Sequence, residues 1–133
     1  MRYDPRRRID YPDAEDIKVW ETLSWLETKG IRTERIPYIP PKKVGKREHW
    51  YALGRVWLDD ERYFLLEYKD TRKLNQKSTH VLNKQSRERL AKRHKTWTDM
   101  GIPIMYVDRT WTTQIMGWYV KKFYDDLKGE GND

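Results

Sequence analysis

Apolar residues recur along this chain with two different periods, and the switches between them mark the elements. From 13 to 29 they return every three to four residues. At 100° per residue Val19, Trp20, Leu23 and Leu26 share one arc, Glu15 lies on its edge, and Glu21 points nearly the opposite way. Asp13 is a fitting N-cap, Glu15 and Asp16 suit the first turn, and Gly30 stands where a helix C′ residue belongs. Residues 31–39 then read as extended, ending at Pro40-Pro41, and 42–47 as a basic loop. Residues 50–58 and 63–69 read as two strands joined by the polar turn Asp59-Asp60-Glu61-Arg62. A second helix runs from Ser78 or Thr79 to about Met100 and closes at Gly101, with only a thin apolar stripe of Leu82, Leu90 and Trp97. A buried-type strand spans 102–107, and a last helix stacks Ile115, Tyr119, Phe123 and Leu127 at i,i+4.

Three consecutive strands predict an antiparallel meander, and the strand-helix-strand from 63 to 107 predicts a parallel crossover. The expected fold is α/β: a single mixed sheet in α-β-β-β-α-β order with a C-terminal helix and helices on both faces. The expected division is a basic arm over 1–12, one domain over 13–127 and a disordered tail over 128–133.

Composition narrows the classes. The chain has 133 residues, of which 37% are hydrophobic, so its core is small; seven Trp and nine Tyr supply much of it. No apolar run nears the roughly 18 residues that span a bilayer, and the first residues lack a signal-peptide pattern. The expectation is a cytoplasmic protein, inside a host cell if phage- or virus-encoded. With no Cys, disulfides, thiolate metal sites and Cys nucleophiles are excluded.

Charge changes the picture more. The net charge is +7, yet residues 72–95 alone carry nine Lys or Arg against one acid, Glu88. A solvated helix face normally mixes both signs. Nine cations to one anion make a field suited to a polyanion, and Arg72, Lys73, Lys77, Lys84, Arg87, Lys92 and Arg93, with Lys42 and Lys43 from the basic loop, are the candidate nucleic-acid contacts. DNA is the expected partner. Among the tryptophans, most are assigned to the core, with Trp50 and Trp111 as the better stacking candidates because they lie beside loops.

Candidate chemistry sits at Leu65-Leu66-Glu67-Tyr68-Lys69. Strand alternation places Glu67 and Lys69 on one face and Leu66 and Tyr68 on the other. A carboxylate and an ammonium so placed could hold a divalent cation and orient a water, or form an ordinary ion pair.

In its context this segment resembles the third motif of the PD-(D/E)xK nuclease superfamily, in particular small phage and archaeal junction-resolving endonucleases. Glu15…Leu23…Leu26-Glu-Thr-Lys-Gly30-Ile31 looks like that family's first helix and turn. Arg87…Lys95…Met100-Gly101-Ile102-Pro-Ile-Met-Tyr-Val107 looks like its later helix and strand. The resemblance implies a restriction-endonuclease-like core, Mg²⁺ or Mn²⁺ as cofactor, a homodimer, and branched DNA such as a Holliday junction as substrate. It implies Glu67 as metal ligand, Lys69 positioning the attacking water, and Glu15 as the helix-borne acid. The family's second-motif Asp is missing: Gly54, or with a one-residue shift Leu53 or Arg55, is expected opposite Glu67. Asp59 and Asp60 are the candidate replacements as metal ligands.

Two readings stay open. One is a divergent metal-dependent DNA endonuclease using Glu15, Glu67 and Lys69. The other is a catalytically degenerate nuclease-fold protein that binds DNA or regulates an enzyme by protein contact, with Arg55 neutralising Glu67. His49, His80 and His94 show no metal-type spacing and are assigned to the surface or to nucleic acid.

Overall fold

A computed structural model describes residues 14–41, 50–69 and 81–131, and side chains for 17–41, 50–69 and 88–129. The order is α1 (Ala14–Thr28), β1 (Thr33–Arg35), β2 (Gly54–Trp57), β3 (Tyr63–Tyr68), α2 (Val81–Asp99), β4 (Ile104–Val107) and α3 (Thr113–Gly131). The sheet is mixed, in spatial order β1-β2-β3-β4; the first three strands pair antiparallel, and β4 is parallel to β3. The chain is therefore α/β with one mixed sheet and a C-terminal helix, as the element order predicts.

Both glycine stops do what a helix end requires. At Gly30 (φ +81) the Ile31 N–H donates to Leu26 O and the Gly30 N–H to Glu27 O; at Gly101 (φ +83) Ile102 donates to Trp97 and Gly101 to Thr98. These paired bonds are the Schellman arrangement, which needs a left-handed residue and so favours glycine. Each turns the chain straight from a helix toward the next strand.

The sheet sorts side chains by parity. Phe64, Leu66 and Tyr68 of β3 join Val19, Trp20, Leu23 and Leu26 of α1 and Met116 and Val120 of α3 in the main core. Leu65 faces the other way, into a smaller core with Ile39, Trp50, Ala52 and Trp97. Trp97 is the anchor of α2: it is fully buried, meets Trp50 edge-on at 6.2 Å, and its indole N–H donates to Ile39 O at 2.8 Å. Cores this thin rely on such rings, since a fully buried large apolar side chain contributes about 1.5–3 kcal/mol.

Residues 31–39 and 50–58 are not the continuous strands that their β-branched and aromatic content predicts. Both break at one level: Ile36 has φ 52°, rare for a β-branched residue, and Leu53 opposite it sits in a bend, with a single bridge beyond at Tyr38–Tyr51. The Ile36 N–H still donates to Leu53 O at 3.2 Å. The kink reverses parity, so Ile36 and Leu53 reach the main core while Ala52 and Trp50 reach the smaller one.

The last helix also differs in phase and length from the sequence expectation. Its buried stripe is Met116, Val120, Phe123 and Leu127, whereas Ile115 and Tyr119 are exposed. Phe123 and Leu127 lie on the core face as the i,i+4 reading expects, but Met116 and Val120 take the places it gave to Ile115 and Tyr119. α3 also continues to Gly131, so residues 128–131 are helix rather than disordered tail, and Lys128 Nζ donates to Leu58 O at 2.9 Å. The arm over 1–12 lies outside the described residues. No helix among the described residues is long and apolar enough to cross a membrane.

Candidate functional site

Among the described residues, Glu67 is the one buried acid. It is 6% exposed, it follows Leu65 on the face that α2 covers, and its register partner on β4 is Tyr106. From α2, His94 is equally buried, with Nε2 3.7 Å from Glu67 Oε2 and Nδ1 sharing a 3.3 Å hydrogen bond with the Tyr106 hydroxyl. That 3.7 Å separation is an ion-pair distance beyond hydrogen-bond reach, and His94 Nε2 has no other hydrogen-bond partner among the described residues. The imidazole is fixed by its rings, stacked on Trp97 at 6.0 Å and edge-on to Tyr106 at 5.5 Å. Arg93, half-buried one residue earlier, also feels this carboxylate: burial pulls its guanidinium below the usual arginine range, and the Glu67 charge pushes it back up.

Glu67 thus faces two basic side chains of α2. Arg93 carries a charge that proteins do not titrate away, and His94 adds a second when protonated. Removing such a carboxylate from water costs several kcal/mol, and cations at this range offset the loss.

Arg55 does not neutralise Glu67. It pairs with Leu65 in the register, and its guanidinium binds Glu34 instead, through Nε at 2.9 Å and Nη2 at 2.7 Å. The Trp57 indole N–H adds a third donor to the same Glu34 oxygen at 2.7 Å. Burial raises the Glu34 carboxyl, but the bonds from Arg55 and Trp57 outweigh it and hold the group below the ordinary value. The register also decides which residue takes the second-motif place. Gly54 pairs with Leu66, so the position opposite Glu67 falls to Leu53, in the bend.

The structure does not bring Asp59 and Asp60 to Glu67. Leu58 N–H donates to Arg62 O at 2.8 Å, leaving Asp59-Asp60-Glu61 as the hairpin tip. β3 begins at Tyr63, and the four residues from there to Glu67 span about 13 Å. Asp59 instead closes the turn, accepting from the Glu61 N–H at 2.9 Å, the Arg62 N–H at 2.7 Å and Arg62 Nε at 2.7 Å. Those bonds lower its carboxyl to about 2, the Glu61 amide first among them. A depressed carboxyl stabilises the turn above the unfolded value and stops doing so as pH falls through the folded one. The Glu61 and Arg62 amide signals should therefore titrate with a midpoint at about 2 in NMR spectra, and Asp59→Asn should abolish that titration.

Lys69 is exposed just past the end of β3, where its charge helps lower the Asp108 carboxyl, after the larger effect of the Thr110 hydrogen bonds. Glu15 begins α1, which packs on the sheet face opposite Glu67; its side chain lies outside the described residues, as do those of Lys84 and Arg87 on α2. Arg72, Lys73, Lys77, Lys42 and Lys43 lie outside them altogether. Lys92 is exposed as expected, whereas Arg93 turns inward. His94 is buried rather than at the surface. Its position on the Leu90–His94–Trp97 stripe carried that signal, because a residue three before a core tryptophan shares its helix face. Trp50 is buried and Trp111 is stacked on Tyr119 at 4.7 Å; the exposed tryptophans are Trp25 and Trp118.

A divalent cation is what the family resemblance implies, and the donors around Glu67 do not fit one. Among the described residues no three His, Asp or Glu side chains gather in a way that could hold a metal ion. Among the described residues, the groups that face the carboxylate from α2 are a histidine and an arginine, where Mg²⁺ would want oxygens. No protein-family model, curated protein or solved structure matches the chain.

Proposed function

We propose that this protein binds nucleic acid on a nuclease-like scaffold, and that Glu67 serves the fold rather than a metal-dependent cleavage. The observation that carries this reading is the two-sided character of α2. Its inner face brings His94 to 3.7 Å from Glu67, with Arg93 beside it feeling the same carboxylate, while Arg89 and Lys92 stay exposed. Trp97 and His94 seat the helix on the sheet, which leaves Arg89 and Lys92 to solvent. The neighbouring segment from 72 continues the same charge in sequence. DNA is the partner we assign to this surface.

A second reading, a divergent Mg²⁺-dependent endonuclease, is favoured by the α-β-β-β-α-β order and by Lys69 standing exposed near Asp108.

The binding reading is tested by fluorescence anisotropy with a labelled duplex across a range of salt. Affinity should fall steeply and linearly in a log-log plot. The double variant Arg89→Gln/Lys92→Gln, at two exposed positions, should weaken binding and reduce the slope by about 2, one for each phosphate contact. A flat salt response, or a slope unchanged in the variant, would remove this surface as the contact.

A further inference from the structure

On the sheet face away from α2, helices α1 and α3 lie side by side and leave a groove of about 480 Å³, lined by Glu21, Thr22, Trp25, Thr113, Gln114, Gly117 and Trp118. The helices run parallel: Thr113 Oγ1 donates to Glu21 Oε2 at 3.3 Å, and one turn further along both, a side chain at Gly117 would meet the Trp25 ring at 3.5 Å. Lys18 Nζ ties the start of this pair by donating to Arg109 O and Trp111 O at 3.0 and 3.1 Å.

Trp118 is 59% exposed and Trp25 is also exposed, although tryptophan is the most valuable residue for so small a core. Between them Gly117 lets the Trp25 ring lie close against α3. Polar groups then divide by end. Glu21, Thr113 and Gln114 offer hydrogen-bonding groups at the N-terminal end. One turn beyond the tryptophans, Lys29 Nζ lies 5.4 Å from the Trp25 ring centre and Lys122 Nζ lies 5.8 Å from that of Trp118.

We propose that this groove binds one unpaired nucleotide. Its base would stack on the exposed indoles, its hydrogen-bonding edge toward Gln114 and Glu21, and its phosphate at Lys29 and Lys122. The volume suits a ligand of that size, indole faces accept any base, and the separation of lysines from amide and carboxylate matches the ligand's own division of charge. This site is independent of the α2 surface, since the sheet separates the two.

The test is a titration of the full chain with adenosine 5′-monophosphate, followed by the indole N–H signals of Trp25 and Trp118 in NMR spectra. Binding should saturate with a dissociation constant on the order of 0.1–1 mM. Trp118→Ala, an exposed change, should weaken it about tenfold, and Lys122→Gln should weaken it about threefold. Adenosine should bind less tightly than the monophosphate, and inorganic phosphate should not compete at equal concentration. A short single-stranded oligoadenylate separates the sources: tighter binding with the same indole shifts assigns the site to an unpaired nucleotide of a strand, equal affinity to the free nucleotide. Arg89→Gln/Lys92→Gln should leave monophosphate binding unchanged, so failure at either face is distinguishable from failure at the other. No saturation at millimolar concentration, an unaffected Trp118→Ala, or competition by phosphate alone would overturn the proposal.

Discussion

Replacing Glu67 with alanine is expected to destabilise the domain by about 3–5 kcal/mol, because it removes the buried carboxylate that His94 faces at 3.7 Å and whose charge supports Arg93 beneath α2. Its side chain is 8% exposed, so solvent screening does little to soften the loss. The sign of the effect discriminates between the two functional readings. An acid kept for catalysis is a burden on stability, and its removal is commonly neutral or stabilising. An acid kept as a counter-ion is missed when it goes. Urea denaturation of wild type and Glu67→Ala at pH 7 measures the difference directly. A double-mutant cycle with His94→Ala should give a coupling of about 0.5–3 kcal/mol between the two groups. A variant as stable as wild type would mean that α2 is not held by this charge.

Trp97→Ala should be as damaging, about 3–5 kcal/mol. The indole is fully buried at the centre of the smaller core, where it supports Trp50, Leu65 and the His94 ring. Trp97→Phe separates two contributions, since it keeps an aromatic ring but removes the 2.8 Å bond to Ile39 O. An orphaned buried carbonyl costs about 1–3 kcal/mol, so the phenylalanine variant should lie between the other two. The midpoint of urea unfolding reports the ranking, and an unchanged slope shows that the loss is in the folded state. A phenylalanine variant as unstable as the alanine variant would make the hydrogen bond, not the ring, the anchor.

Residue types and periods carried the element order, because each element here has a strong local cause. Gly30 and Gly101 end their helices through backbone geometry that few other residues adopt, and β3 is a nearly continuous apolar and aromatic run buried on both faces. The same reasoning put Glu67 and Lys69 on one strand face; Glu67 lies buried on the face that α2 covers, whereas Lys69 falls just past the end of β3. What the sequence left hidden depends on contacts between distant segments. The kink at Ile36 and Leu53 has no local signature, since both are ordinary strand residues. It removes the outer parts of two strands. Whether Gly54, Leu53 or Arg55 opposes Glu67 turned on the length of the hairpin tip, and Leu58 pairing with Arg62 selects Leu53. The exposed tryptophans were legible in part. At 100° per residue Trp25 points away from the arc of Val19, Trp20, Leu23 and Leu26, alongside Glu21, which already marked that side as solvent. Only the neighbouring helix, unknown from sequence, turns that exposed ring into the wall of a groove.

The most direct test of the account is DNA cleavage in Mn²⁺ by wild type beside Glu67→Gln, which keeps the shape of the side chain and removes its charge. Labelled duplex, single-stranded and branched DNA would each be followed for binding and for strand breaks in the same reactions. The account expects bound but intact DNA with both proteins. Cleavage by wild type that is lost in Glu67→Gln would contradict it, and would make Glu67 a catalytic acid rather than the counter-ion of α2.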